Sequence, residues 1–258
     1  MQKEENKITN SDLMEGMSSI SAVIKAIEAG HTDRRIITVF IDSAKKSSKR
    51  REISFLSRKA TELGFAIEFC DAAIISEFTV GSSHGGIIAF CSERSIPPLT
   101  KEAIKPNGVY YLLEGVEDPY NFGYAVRSIY AAGGDGIILT PRNWMGVAGV
   151  VARSSAGSSE LIDMFVSEPE DAAQTFKDLG YKVICAGIRD SVSLFDTDLS
   201  YPLFVVLGGE KRGISRALLD KADEIVRIDY GKEFNGSLST AAASAVFAFE
   251  IYRSNRNS

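Results

Sequence analysis

The chain has 258 residues, 45% of them hydrophobic, with a formal net charge of −5 at pH 7, enough apolar material for one large or two compact domains. No run of about eighteen apolar residues occurs, so no membrane span is expected, and the polar start MQKEENKITNSDLMEGM lacks the apolar core of a secretory signal, which points to a cytoplasmic location. Two histidines leave no basis for a multi-histidine metal site. The three cysteines, Cys70, Cys91 and Cys185, are widely spaced in apolar runs and read as small buried hydrophobes.

In chain order, a polar tail leads into a short amphipathic helix with Ile20, Val23, Ile24 and Ile27 at helical spacing. The run IITVFI (36–41) suits a buried strand, 49–64 a helix ending at Gly64, and FAIEF (65–69) and GGIIAFC (85–91) two further strands. From just after the first strand into the start of that helix, Lys45, Lys46, Lys49, Arg50 and Arg51 fall within seven residues. Such a run is usually a solvated face, although an acidic protein that binds nucleic acid must concentrate its cations somewhere. The segment 95–108 holds three of the seven prolines and reads as a linker. It divides an N-terminal α/β domain (1–94) from a C-terminal one (109–258).

Beyond the linker, strands are predicted at 109–115, 136–140, 160–166, 182–187, 203–209 and 224–228. Helices are predicted from Asn121 to about Ala132, around 169–179, and from about Ser237 to Arg253. Strands separated by helices imply a parallel sheet, and such sheets bind ligands at the carboxyl ends of their strands. Three of these ends are rich in glycine and polar residues. The first, from Glu114-Gly115, leads to Asn121, a candidate helix cap, with Gly123 and Arg127 on one helical face. Periodicity alone makes Arg127 an ordinary surface cation. In the second, a buried strand runs into Gly208-Gly209-Glu210, with Gly213 beyond. Here backbone must bend sharply or lie against something flat, and neither common phosphate-loop pattern is present. The third is the turn NGSLST, followed by a helix that starts with small residues.

The three blocks, in this order and spacing, resemble the motifs of the TrmH-type (SpoU) branch of the SPOUT RNA 2′-O-ribose methyltransferases. Asn121-Phe122-Gly123 with Arg127 is similar to the first motif, Leu207-Gly208-Gly209-Glu210 with Gly213 to the second, and Ile228 with Ser237-Leu238 to the third. Arg153-Ser154-Ser155-Ala156-Gly157 is similar to a small-residue segment between the first two motifs. The N-terminal strand–helix–strand order and GSSHGGIIAF (81–90) look like the ribosomal-protein-like domain that binds RNA in many members.

The resemblance implies a trefoil knot, a homodimer and S-adenosylmethionine as cofactor. It implies cofactor contacts from Leu207, Gly208, Gly209, Gly213, Ile228, Ser237, Leu238 and Ser239, with catalysis by Arg127 supported by Asn121 and Glu210. It further implies RNA contact, more with ribosomal than transfer RNA, through Lys45, Lys46, Lys49, Arg50, Arg51 and His84, and no metal. The chain departs from the pattern in the third motif. Ser239 stands where the family has asparagine, Ile228-Asp229-Tyr230 replaces I-P-M, and the spacing is one residue longer. The alternative reading is an RNA-binding module whose methyltransferase site has degenerated.

Overall fold

The computed structural model describes residues 13–79, 84–141 and 147–256 and divides into two compact units, 1–95 with 143–161, and 96–142 with 162–258. The polar tail and residues 81–83 of the GSSHGG segment lie outside the described residues.

The first unit opens with strand β1 (Leu13–Glu15) and helix α1 (Gly16–Glu28), whose Ile20, Val23 and Ile24 are buried at the predicted spacing. Then follow β2 (Ile36–Asp42), α2 (Arg50–Leu63), β3 (Ala66–Cys70), α3 (Ala72–Phe78) and β4 (Ile87–Cys91). As expected, α2 ends at Gly64, in the left-handed region at φ 77°. The strands form one mixed sheet in the order β1-β4-β2-β3, with only the β2–β3 pair parallel.

The second unit begins at Ile96, so the predicted linker is part of it. Its prolines do not leave it loose: Leu99 N–H donates to the Val166 carbonyl, Val166 N–H to that of Pro97, and Ile104 is buried. Next come β5 (Val109–Glu114), α4 (Pro119–Ala131) and β6 (Gly136–Leu139). The chain then contributes α5 (Ala148–Ser154) to the first unit before β7 (Asp163–Val166), α6 (Pro169–Asp178), β8 (Lys182–Ala186), the two-residue β9 (Val192–Ser193) and β10 (Leu203–Gly208). Last are α7 (Arg216–Leu219), β11 (Glu224–Arg227) and α8 (Thr240–Asn255).

All seven strands of this unit are parallel, in the order β7-β6-β5-β10-β8-β11-β9. The central β5 and β10 are buried along nearly their whole length, as their continuous apolar runs require. One side of the sheet is filled by aromatics: Phe176 of α6 stacks on Phe204 at 4.3 Å between ring centroids and meets Tyr110 at 5.1 Å. Among the described residues no helix is long and apolar enough to cross a membrane.

The segment 143–161, expected in the C-terminal domain, packs in the first unit. Ala152 joins its apolar core, the Arg34 guanidinium meets Glu160 at 3.1 Å with both side chains almost fully buried, and Arg94 donates to the Ser159 carbonyl at 2.8 Å. Gly157 permits the approach, since a Cβ there would lie 2.4 Å from that of Ala22 and 2.9 Å from the Ser18 carbonyl oxygen. The strand predicted from residue 160 therefore starts only at Asp163.

Candidate functional site

The site lies in the second unit, where β5, β8, β10 and β11 end. At the close of β10, Gly209 N–H donates to the Glu114 carbonyl at 2.7 Å and Gly213 N–H to the Gly209 carbonyl at 3.0 Å, folding 209–213 into a tight turn. The Glu114 carboxylate accepts the Ser215 N–H at 2.8 Å and ties that turn to β5. This packing gives the glycines a reason that sequence did not supply. A Cβ on Gly208 would sit 2.5 Å from the Gly213 carbonyl carbon, and one on Gly209 2.3 Å from the Gly115 carbonyl oxygen. The close approach is backbone on backbone.

Leu207, Gly208, Gly209, Gly213, Ile228, Ser237 and Leu238 line a single cavity of 290 Å³. Ser239 does not line it. It caps α8, its Oγ accepting the Ala242 N–H at 3.2 Å, so the helix starts at Thr240 and not at Ser237. Asp229, in place of proline, is hydrogen-bonded by Ser193 and by Arg227, whose Nε lies 2.8 Å away, and these contacts hold its carboxyl below the usual range. The altered third motif is thus folded and anchored: the Tyr230 hydroxyl accepts the Leu238 N–H at 3.2 Å, and Tyr230 joins the cavity wall. Sequence reading missed Tyr230, Gly187 and Ile188 after β8, and Thr240, Ala243 and Phe247 of α8. Taking β8 as one more parallel strand ending at the same sheet edge would have found Gly187 and Ile188.

A second cavity of 110 Å³ adjoins the first and shares Gly209, Glu210 and Thr240 with it. Asn121 lines this smaller space, and its amide donates to the Glu210 carboxylate at 3.2 Å. Asn121 is not the helix cap. Asp118 accepts the N–H groups of Tyr120 and Asn121, and Pro119 occupies the first helical position, so α4 starts two residues earlier than predicted.

Arg127 lines neither cavity. It sits six residues beyond Asn121, about 9 Å along the helix axis. It is exposed and makes no ion pair among the described residues, on the face that carries Tyr120 and Tyr124, 38% and 48% exposed. The structure therefore brings Asn121 and Glu210 together and leaves Arg127 apart from them.

The predicted RNA contacts are in the first unit. Arg50 and Arg51 are exposed, Lys46 Nζ lies 4.1 Å over the Phe69 ring, Lys49 meets Glu52 at 2.8 Å, and Lys45 packs along Gly86. His84 is a turn residue whose Nδ1 accepts the Gly86 N–H at 3.0 Å. The cysteines are free, and burial pushes the Cys185 thiol up to about 12. Cys185 is therefore expected to resist iodoacetamide at neutral pH in the native protein and to react once denaturant is added. Peptide mass spectrometry checks this; native labelling of Cys185 as fast as the half-buried Cys70 would contradict it.

The SpoU rRNA Methylase family model matches residues 108–249. The 23S rRNA (guanosine-2′-O-)-methyltransferase RlmB of Shewanella oneidensis is 27% identical over 256 residues, which cover 95% of this chain and 98% of that protein. Among solved structures, an RNA 2′-O ribose methyltransferase matches with a TM-score of 0.77 at 18% identity, over 95% of this chain and 88% of the other. An AdoMet-bound rRNA methyltransferase from Sinorhizobium meliloti matches with a TM-score of 0.75 at 24% identity, over 93% and 86%. The two solved structures share the α/β fold with its parallel sheet, and the family model spans all three glycine-rich loops. The chain belongs to the SpoU rRNA methylase family.

Proposed function

We propose that this protein transfers the methyl group of S-adenosylmethionine to a ribose 2′-hydroxyl in RNA, with ribosomal RNA as the substrate class. The observation that carries this reading is the pair of adjoining cavities. The larger is walled mostly by glycine backbone and apolar side chains at the ends of β8, β10 and β11 and on α8, with Glu210, Arg227 and Thr240 among its polar residues, and at 290 Å³ it is close to the ~300–1,000 Å³ usual for small-molecule sites. Glycine backbone and apolar surface suit a flat adenine and a methionine chain. The residues present fit the cofactor, which supplies an electrophilic methyl on a sulfonium.

Leu207, Gly208, Ile228 and Leu238, which line the larger cavity, would hold that group. The 2′-hydroxyl is a weak nucleophile, and it is oriented in the smaller cavity by Asn121 and Glu210, which touch both each other and the shared wall. Arg127, always protonated, binds the adjacent phosphate and stabilises charge developing on the attacking oxygen. It reaches the reacting atoms from a second copy of the chain. In support, α4 packs on α8, and these helices expose Tyr120, Tyr124, Phe249 and Tyr252, with Tyr120 and Tyr124 on the helical face of Arg127, apolar surface suited to burial in a homodimer.

A trefoil knot in the C-terminal unit belongs to the same reading. What supports it is the sheet order, with β10 inserted between β5 and β8, and the hydrogen bond from Thr240 of α8 back to the Gly208 carbonyl. The first unit serves as the RNA-binding domain, and the protein works in the cytoplasm without a metal. Against a degenerate binding module stands the intact folding of the altered third motif around the cavity.

Incubation with methyl-labelled S-adenosylmethionine and a 23S rRNA transcript is expected to place label in an alkali-resistant 2′-O-methyl dinucleotide. Mapping 2′-O-methyl sites in total RNA with and without the gene should identify the nucleotide. Calorimetric cofactor binding with no transfer to ribosomal RNA would overturn the substrate class, and no cofactor binding at all would restore the inactive module.

A further inference from the structure

The smaller cavity is an acidic place for a nucleic acid to enter. Glu117, Asp118 and Glu210 line it, and Lys211 is the one cation among the described residues of its wall. Unrelieved, such carboxylates repel a phosphate chain. Two of them are committed to the site's own structure: Asp118 accepts the first N–H groups of α4, and Glu210 accepts the Asn121 amide. Glu117 differs. Its carboxylate meets the Lys211 ammonium at 2.9 Å, with the two side chains 50% and 80% exposed. An ion pair so open to water is screened by salt and costs little to exchange for another anion.

The backbone of Lys211 is fixed, although the end of its side chain is not. It follows Glu210 in the 209–213 turn, which the Gly209 and Gly213 N–H groups hold in place. The residue therefore starts beside the group that orients the ribose, and its flexible stem lets the ammonium swing across the cavity mouth. Neighbouring cations are placed or engaged otherwise. Arg212 lines neither cavity, and Arg227, in the wall of the larger one, is held by Asp229 and by the Ser191 carbonyl. Any ribose within a strand is flanked by two phosphates, and Arg127 accounts for one.

We propose that Lys211 binds the other phosphate, and that Glu117 is the anion this phosphate displaces. The inference rests on the smaller cavity being the ribose site. In the free protein Glu117 keeps the ammonium at the rim, and on RNA binding the ammonium turns to the phosphodiester. Such a contact positions the strand and carries no sequence information.

Opposite effects of two substitutions separate this exchange from a structural latch between 115–118 and 209–213. Lys211→Gln should raise KM for a 23S rRNA transcript about tenfold and lower the log–log salt slope of binding by about 1, with kcat within about twofold of wild type. Glu117→Gln releases the ammonium and should tighten RNA binding about threefold. That gain should vanish when Lys211→Gln is already present. Lys101→Gln, an equal charge change in an exposed pair with Asp178, should leave affinity and slope unchanged. Calorimetric affinity for S-adenosylmethionine should hold in every variant, since neither Glu117 nor Lys211 lines the larger cavity. Wild-type affinity and slope in Lys211→Gln would overturn the proposal, as would weaker RNA binding in both single variants, the mark of a latch. So would tightening by Glu117→Gln that persists without Lys211. A wild-type protein that binds the cofactor yet neither binds nor methylates the transcript would overturn the substrate reading, and the proposal with it.

Discussion

Replacing Arg127 with alanine is expected to lower methyl transfer by on the order of 10²- to 10³-fold, the usual loss when one preorganised donor to a developing oxyanion is removed. Stability should barely change, by roughly 0.5 kcal/mol at most, because the side chain is exposed and makes no ion pair among the described residues. Cofactor affinity should hold, since Arg127 lines neither cavity. Lysine should rescue only in part, keeping the charge but losing the planar fork. Wild-type turnover by Arg127→Ala would sink the assignment.

Mixing two inactive variants tests where Arg127 acts. If it serves the partner's cavity, Arg127→Ala combined with Glu210→Ala should recover about a quarter of wild-type activity, from the one intact site in each mixed dimer. A site built within one subunit recovers none. Sedimentation at micromolar concentration should show a dimer, and a monomer would count against the arrangement.

Gly209→Ala should be the most damaging small change in the second unit. The added methyl would lie 2.3 Å from the Gly115 oxygen and 2.7 Å from its carbonyl carbon, atoms of backbone that cannot swing aside. Overpacking of this kind costs about 1–3 kcal/mol, and here the strain falls on a wall common to both cavities. Cofactor affinity is therefore expected to fall at least about tenfold, equivalent to ~1.4 kcal/mol, together with the melting temperature. Gly213→Ala provides the comparison. Nothing lies within 4 Å of its Cβ position, so its cost, about 1–2 kcal/mol, comes from φ +64° alone. Calorimetry and melting curves on both variants separate collision from dihedral strain. Wild-type cofactor affinity in Gly209→Ala would refute the account.

Most of the second unit was legible because a central parallel strand is buried on both faces and shows as an unbroken apolar run, as in Val109–Leu113 and Leu203–Leu207. Three features were less legible. β9 has two residues, too few for any pattern. The α4 start was misread because Asn121 resembles a cap, while the Asp118-Pro119 pair carried the stronger signal. The destination of 143–161 depends on partners such as Arg34, more than a hundred positions away. At the site, the glycine-rich loops were visible as local composition. The wall residues Ile188, Tyr230 and Phe247 were not, because only the fold brings them to one place. Arg127 was legible as a motif residue, but its separation from Asn121 and Glu210 depends on helix length and facing.

The Arg34–Glu160 pair also bears on synthesis. A chain that has grown only to residue 95 carries a nearly buried guanidinium without its carboxylate, and a core without Ala152. Breaking such a pair costs about 3–5 kcal/mol, a large part of the ~5–15 kcal/mol that holds a domain of ordinary size together. The first unit therefore does not close as soon as its first 95 residues have left the ribosome. At ~5–20 residues per second it waits roughly 3–13 s for residue 161, with β5, α4 and β6 already emerged and lacking β10, the strand that completes the middle of their own sheet. During that interval both halves of the newborn chain present apolar surface, and chaperones should engage it most before residue 161 is made.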